Sequence, residues 1–238
     1  VTEEIERGAV YATFSCLKYF GSWLLDDVLT YPLAAAEGEP VTIDALGPGH
    51  KAGYEAWLDM KPRRTQAAFF RELLIFEDFS HNDNRRARAQ AVREKLLSRV
   101  DVEPHPGVFL LRKSAGQGKP RLLWNEVELA EQLAKSRGLR IIDPTELDVP
   151  SLVRACAGAR MFVGVEGSAL AHGVYTLAPR GSMVALQPPD RFCTVFKHVV
   201  VRDERHFGFV VGRQQGEGFF VEPDELERTL DLLPPAEI

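Results

Sequence analysis

Four short apolar segments alternate with helical patterns in the second half of the chain, and this alternation most restricts its fold. The segments are GVFLLR (107–112), LRII (139–142), MFVGV (161–165) and SMVALQP (182–188). The residues between them have helical spacing and short connections, so the order is β-α-β-α-β-α-β. That order is typical of a parallel sheet with helices on both faces. We therefore predict an α/β, Rossmann-like domain in this half.

Helix boundaries in this half are marked by characteristic start and stop residues. Asn125 is followed three residues later by Glu128, which is a capping-box pattern. Gly138 predicts the end of that helix, and Asp148 predicts the start of the next one. A further helix is predicted to begin near Ser168, just after the strand MFVGV.

The first half alternates in the same way, with less regular patterns. Predicted strands are AVYATF (9–14), PVTIDAL (40–46) and ELLIFED (72–78). Predicted helices are SWLLDDVLTYPLAAAEG (22–38), KAGYEAWLDM (51–60), NRRARAQAVREKLLSRV (84–100) and, far downstream, PDELERTLDLL (223–233). Pro32 is expected to kink the first of these helices. The prolines in DVEPHPG predict a boundary between two α/β domains, residues 1–103 and 104–238.

Composition excludes several classes of protein. The 238 residues are 45% hydrophobic and carry a formal net charge of −5, so a large core is expected and a nucleic-acid binder is not. Cys16, Cys156 and Cys193 have no metal-binding spacing, which favours a reduced, cytoplasmic protein without a metal site. No apolar run reaches the ~18 residues of a membrane span, so a membrane association would be peripheral, at the inner face. The first residue is Val1, so a trimmed start stays open.

The segment VGVEGSALAH (163–172) places an acid, a glycine and a serine at the end of a buried strand. Doubly wound sheets bind ligands at such strand ends. Gly167 would let an anion approach the backbone, Ser168 offers a hydroxyl, and the next helix offers free N–H groups. A phosphate or diphosphate site is one interpretation, and a tight turn with an N-cap is the other. Glu166 would repel a phosphate, so its carboxylate better suits the hydroxyls of a sugar or ribose.

Several motifs, in order along the chain, resemble those of glycosyltransferase family 61. They are YFGSWLLDDVLTYPLAA (19–35), LLRKSAGQGKPRLLWNEVEL (110–129), GLRIIDPTEL (138–147) and ARMFVGVEGSALAHGVY (159–175). Arg121, Asn125 and Glu126 match the R-x-x-x-N-E pattern of that family, and Gly167 and Ala169 fall in its H-G-A motif. The resemblance covers about residues 19–190.

The chain departs from the family pattern at three positions. Glu166 replaces the usual histidine of the H-G-A motif, His172 replaces the asparagine that ends it, and Ser22 replaces an early histidine. These changes indicate either a subfamily with another donor or a loss of activity. The chain is also short for the family, so part of an N-terminal half is expected to be missing.

The resemblance implies two Rossmann-like domains in the GT-B architecture and an inverting, metal-independent sugar transfer. A UDP-linked nucleotide sugar would be bound mainly by the C-terminal domain, and a glycan or polysaccharide acceptor, such as a capsule, by the N-terminal one. The residues that would bind the donor are Arg112, Arg121, Asn125, Glu126, Glu166, Gly167, Ser168 and Ala169.

Three residues are candidates for the catalytic base. Asp26 matches an acidic position of the family and would take the proton of the acceptor hydroxyl. Asp27 points about 100° away on a helix and should matter less. His172 and His50 are the reserve candidates, and ordinary packing or surface roles are their alternative.

The other candidates also have structural interpretations. Arg112 and Arg121 could clamp a diphosphate through bidentate bonds or be solvated loop residues. Asn125 could be an N-cap, and Glu126 could pair with an arginine. The arginines of the helix 84–100 are interpreted as a solvated face: Arg85, Arg86, Arg88 and Arg93.

Two other functions stay open on the sequence alone. A non-catalytic module could keep a nucleotide or glycan site without a working base, which the altered Ser22, Glu166 and His172 favour. An unrelated Rossmann-like enzyme could act on a phosphate ester. Turnover of a nucleotide sugar excludes the first, and binding of a nucleoside diphosphate argues against the second.

Overall fold

The fold is known from a computed structural model that describes residues 3–78, 82–113 and 121–234. The chain divides into two compact units, Val1–Leu96 and Leu97–Ile238. The domain boundary expected from the sequence, between residues 103 and 104, lies slightly later in the chain. The predicted loop SAGQGKP (114–120) falls outside the described residues.

The N-terminal unit contains one parallel sheet. Its strands are β1 (Glu4–Val10), β2 (Glu39–Thr42), β3 (Arg63–Arg64) and β4 (Phe69–Ile75). They lie in the order β3-β2-β1-β4. The α-helices are α1 (Phe14–Lys18), α2 (Phe20–Ser22), α3 (Val28–Glu37), α4 (Lys51–Trp57) and α5 (Asp83–Leu97), with a π-helical turn, Trp23–Asp27, between α2 and α3.

Strand β1 begins well before its predicted position. Glu4, Glu6 and Arg7 are exposed in this strand, so its first residues do not form the apolar run from which we predicted it. The helix predicted over residues 22–38 is present, and its buried face includes Trp23, Leu24 and Val28 as expected. Its irregularity is the π-helical turn that comes before Pro32, which itself lies inside α3.

The expectation of a solvated arginine face on α5 is wrong for two of the four arginines. The face of α5 that is buried consists of Arg85, Ala89, Val92 and Leu96. Both Nη atoms of Arg88 bond the carboxylate of Asp78, at 2.7 and 2.8 Å, and Nη1 of Arg85 bonds it at 3.0 Å. Asp78 follows β4 and draws both arginines inward.

The C-terminal unit contains a second parallel sheet, which confirms the Rossmann-like α/β prediction. Its strands are β5 (Val108–Leu110), β6 (Arg140–Ile142), β7 (Ala159–Val165), β8 (Leu177–Gln187) and β9 (His206–Val211), in the order β6-β5-β7-β8-β9. An antiparallel ribbon follows, formed by β10 (Arg213–Gln215) and β11 (Gly218–Phe220). The sequence reasoning missed β9, whose apolar run is interrupted by Gly208.

Helices of this unit surround the sheet and close its core. They are α6 (Glu126–Arg137), α7 (Val149–Cys156), α8 (Ala171–Thr176), α9 (Val195–Arg202) and α10 (Pro223–Asp231), with 3₁₀ turns at Pro144–Glu146 and Ser168–Leu170. Asp148 caps α7 by accepting the N–H of Ser151 at 2.9 Å, and Gly138 ends α6 at φ 70°, both as predicted. Phe109, Val163 and Val184 are fully buried on β5, β7 and β8. The core therefore fixes the positions of the residues that follow these central strands.

None of the helices in the described ranges has the length and apolar character required to cross a membrane.

Candidate functional site

Three charged side chains meet where β5 and β7 end. Arg112 follows β5, Glu166 follows β7, and Arg121 belongs to the segment that leads into α6. Each residue is at most 8% exposed. Nη1 of Arg121 donates to Oε2 of Glu166 at 2.7 Å and to the carbonyl oxygen of Glu166 at 2.6 Å. These contacts join Arg121 to Glu166, and the guanidinium of Arg112 lies beside Arg121 at Gly167, so three of the residues that the resemblance implied for donor binding lie together.

Gly167 is required because two guanidinium groups approach its backbone. Its φ is +150°, a conformation that side chains disfavour. A Cβ at this position would collide with Nη1 of Arg112 and would lie 2.7 Å from Nη1 of Arg121. The glycine therefore accommodates the arginines of the site.

Arg112 is buried without a bonded counter-ion among the described residues. The carboxylate of Glu166 is bonded to Arg121, and that of Glu126 is bonded to main-chain N–H groups. Burial lowers the pKa of Arg112, the charge of Arg121 adds to this effect, and the two carboxylates oppose it. A buried cation of this kind is stabilised by an added anion, and guanidinium groups match the geometry of phosphate oxygens.

Asn125 and Glu126 do not make the contacts expected from the sequence. Asn125 occupies the N-cap position but makes no side-chain cap bond. Its amide instead donates to the carbonyl of Val221 at 2.8 Å and accepts from the N–H of Val221 at 3.3 Å. Within the described ranges Glu126 pairs with no arginine side chain; its carboxylate accepts the N–H groups of Arg112 and Lys113, each at 2.7 Å.

Ser168 and Ala169 follow Gly167 in a 3₁₀ turn and are half-buried. The helix predicted to begin near Ser168 is α8, which starts at Ala171 and contains only 6 residues. His172 lies in α8 and is 2% exposed, which makes it a packed residue of this unit.

A pocket of ≈ 420 Å³ adjoins Arg121. Its lining includes Arg121, Pro188, Asp190, Gln214, Glu217 and Gly218. Acidic, amide and main-chain groups of this kind are suited to hydroxyl-rich ligands. Sequence reasoning missed this pocket, and its signal was the glycine-rich turn of the ribbon, GRQQGEG (212–218).

The two adjacent acids of the N-terminal unit have different surroundings. The side chain of Asp26 is 50% exposed and forms an ion pair with the buried Arg85. Asp27 is 1% exposed, and its Oδ1 accepts the N–H of Thr13 at 3.1 Å. Burial raises the pKa of Asp27 to about 7, although hydrogen bonds from Cys16 and Thr13 act in the opposite direction.

Asp26 lies near the carboxyl end of β4. Arg85 bonds both Asp26 and Asp78, and Asp78 follows this strand. His50 flanks α4, half-buried, with its ring 6.0 Å from that of Phe20. Among the described residues, no three His, Cys, Asp or Glu side chains are grouped as metal ligands.

Comparison with models of known families assigns the chain to one of them. The family model for glycosyltransferase 61 matches residues 20–185, which is more than half of the sequence. The chain belongs to glycosyltransferase family 61. No curated protein matches it. Membership of family 61 supports a transferase activity with a sugar donor and a glycan acceptor. The range matched to glycosyltransferase 61 includes Asp26, Arg112, Arg121 and Glu166 but ends before the β10–β11 ribbon.

Gly167→Ala is expected to weaken pyrophosphate binding by this family 61 protein at least tenfold. The added methyl group displaces the guanidinium groups of Arg112 and Arg121, so they no longer converge on one anion. Calorimetric titration with pyrophosphate measures the change. Gly138→Ala is the matched control, because Gly138 also has a positive φ but lies away from the arginines. Equal losses in the two variants would contradict the prediction.

Proposed function

We propose that this chain is an inverting glycosyltransferase that moves a sugar from a nucleotide-sugar donor to a glycan or polysaccharide acceptor. The observation that carries the proposal is the pair of buried guanidinium groups, Arg112 and Arg121, against Gly167 at the carboxyl end of a parallel sheet. In a sugar-transferring family, such a pair fits the diphosphate that leaves the donor. Positive side chains placed at the leaving group stabilise the transition state and can replace a metal ion.

The proposal includes a UDP-linked donor, the GT-B arrangement of two domains and a peripheral location at the inner membrane face, with capsule-type polysaccharide as the acceptor. In this proposal Glu166 orients the guanidinium of Arg121, because its carboxylate accepts a hydrogen bond from that group. Ser168 and Ala169, in the turn after Gly167, would lie beside the phosphates.

Asp26 is the proposed general base. Its half-exposed carboxylate can receive a proton from an acceptor, whereas Asp27 and His172 are enclosed by protein. Arg85 bonds the carboxylate of Asp26 and holds it in one position. A general base needs such a fixed position, because it must lie within hydrogen-bond distance of the acceptor hydroxyl. His50 is the reserve candidate in the same unit.

Turnover assays test the activity directly. Purified protein is incubated with UDP-, GDP- and dTDP-linked sugars and a glycan acceptor, and released nucleoside diphosphate is measured with and without EDTA. Release that survives EDTA supports the proposal. Loss of activity that manganese restores would overturn the metal-independent mechanism.

Asp26→Asn is expected to lower this turnover about 10²-fold, since that is the usual contribution of a general base. Affinity for UDP should stay unchanged. Asp59→Asn is the matched control, because Asp59 is an exposed acid of the same unit with a lysine partner. Near-normal turnover in Asp26→Asn would rule out Asp26 as the base.

The ion pair between Asp26 and Arg85 favours a second candidate function. A carboxylate already engaged by a buried arginine is less available to an acceptor hydroxyl, as expected in a non-catalytic nucleotide-binding module of the same fold. Tight UDP binding without release from any nucleotide sugar would favour that alternative.

A further inference from the structure

The segment 121–126 and the β10–β11 ribbon form one hydrogen-bonded structure. The N–H of Phe219 donates to the carbonyl of Leu122 at 2.8 Å, and the N–H of Trp124 donates to the carbonyl of Phe219 at 2.9 Å. The indole Nε1 of Trp124 donates to the carbonyl of Gln215 at 2.7 Å. The segment that carries Arg121 therefore also holds one wall of the adjoining pocket.

Asn125 fixes the end of this wall. The residue is 8% exposed, and its side chain bonds both the N–H and the carbonyl of Val221. Val221 directly follows β11, and Gly218 and Phe219 of β11 line the pocket. The amide thus adds two buried bonds to those that hold the ribbon beside the segment of Arg121.

Glu126, the first residue of α6, bonds a different segment, the residues that follow β5. Its carboxylate is buried and accepts two consecutive N–H groups directly after β5, those of Arg112 and Lys113. Lys113 has a φ of 50°, a turn that few side chains adopt without support. This clamp directs the chain so that the guanidinium of Arg112 reaches Gly167.

We infer that Asn125 and Glu126 are positioning residues that order two parts of the donor site separately. Glu126 orders the anion site of Arg112 and Gly167, and Asn125 orders the pocket that takes the organic group joined to the diphosphate. Neither side chain touches the donor. The inference rests on the proposed function, because it assigns a nucleotide-sugar donor to this site.

Calorimetric titrations with pyrophosphate, UDP and UDP-sugars separate the two roles. Asn125→Ala should leave the Kd of pyrophosphate within twofold of wild type and raise that of UDP or UDP-sugar at least tenfold. Glu126→Gln, which loses one acceptor, should raise the Kd of all three about tenfold. In turnover assays, Asn125→Ala should raise KM for the donor and leave kcat nearly unchanged, a split that general destabilisation does not produce.

Arg137→Ala controls for loss of stability. Arg137 bonds Glu227 and Asp231 between α6 and α10, away from the pocket, so its removal should lower the melting temperature and leave every Kd unchanged. Where Asn125→Ala does not fold, Asn125→Asp keeps the acceptor for the N–H of Val221 and removes the donor. It should show the same selective loss for UDP or UDP-sugar.

The outcomes are distinct. Equal changes for pyrophosphate and UDP in the Asn125 variants, or none, would overturn the division of roles. Wild-type protein that binds pyrophosphate but neither UDP nor any nucleotide sugar would instead refute the proposed donor, and with it the role of Asn125. The role of Glu126 would then be tested by the Kd of pyrophosphate alone, which Glu126→Gln should still raise about tenfold.

Discussion

Arg112→Met is expected to lower turnover of a nucleotide sugar by 10²–10³-fold and to leave the protein at least as stable as before. The loss of turnover follows from the proposed function, since the substitution removes one preorganised cation from the proposed diphosphate site, and such a removal has an effect of this order in other enzymes. Stability is retained because Arg112 is buried, makes no ion pair with a described carboxylate, and has a pKa lowered by burial and by Arg121. Methionine fills a similar volume without these costs.

Arg121→Met is the matched comparison, and it should behave differently. Arg121 neutralises Glu166, whose carboxylate is buried, so this substitution leaves an unpaired charge. Breaking a buried pair costs roughly 3–5 kcal/mol of unfolding free energy. Urea denaturation measures the unfolding free energy of each variant, and steady-state kinetics measures its turnover. If Arg112→Met destabilised the protein as much as Arg121→Met, Arg112 would be a structural residue and the anion site would lose its support.

Asp27→Asn is expected to stabilise the protein above pH 7 by up to about 4 kcal/mol. The pKa of Asp27 is about 7 in the folded protein, whereas the ordinary pKa of an aspartate is near 3.8. Between these values the folded state binds more protons than the unfolded state, so stability falls as pH rises from about 4 to about 7. Each unit of this pKa difference corresponds to about 1.4 kcal/mol. Asparagine is neutral and keeps Oδ1 as the acceptor for Thr13.

Urea denaturation at pH 5 and pH 8 tests this expectation. The gain of Asp27→Asn should be large at pH 8 and less than half as large at pH 5, where wild-type Asp27 is protonated in the folded protein but mostly ionised in the unfolded one. Asp59→Asn, at an exposed position, should show no such difference. A wild type and an Asp27→Asn variant with the same pH dependence of stability would exclude Asp27 as the titrating group.

The sequence predicted those parts of the fold that depend on local patterns. Buried strands such as β7 are continuous apolar runs, and Asp148 and Gly138 mark helix ends through local bonds, so each could be recognised without tertiary information. Gly167 was recognised from the turn that follows a buried strand, and the arginines were found because family motifs carry them. Why Gly167 is needed was not predictable, since it depends on arginines from two other segments.

Long-range contacts explain what the sequence could not reveal. Asn125 satisfies the pattern of an N-cap, but its partner is Val221, 96 residues away. Arg85 lies in a strongly charged helix, and only the carboxylates of Asp26 and Asp78 show why it is buried. The π-helical turn that gives Asp26 and Asp27 different environments has no simple sequence signal.

The bonds between Asn125 and Val221 use only main-chain atoms of Val221. The ribbon is therefore held in place whatever side chains it carries, and it lies outside the range matched to the family. The position of the ribbon and the chemistry of its side chains can therefore change independently of each other. We expect substitutions in the ribbon to change the donor preference of the proposed enzyme, while Arg112, Arg121 and the bonds from Asn125 stay in place.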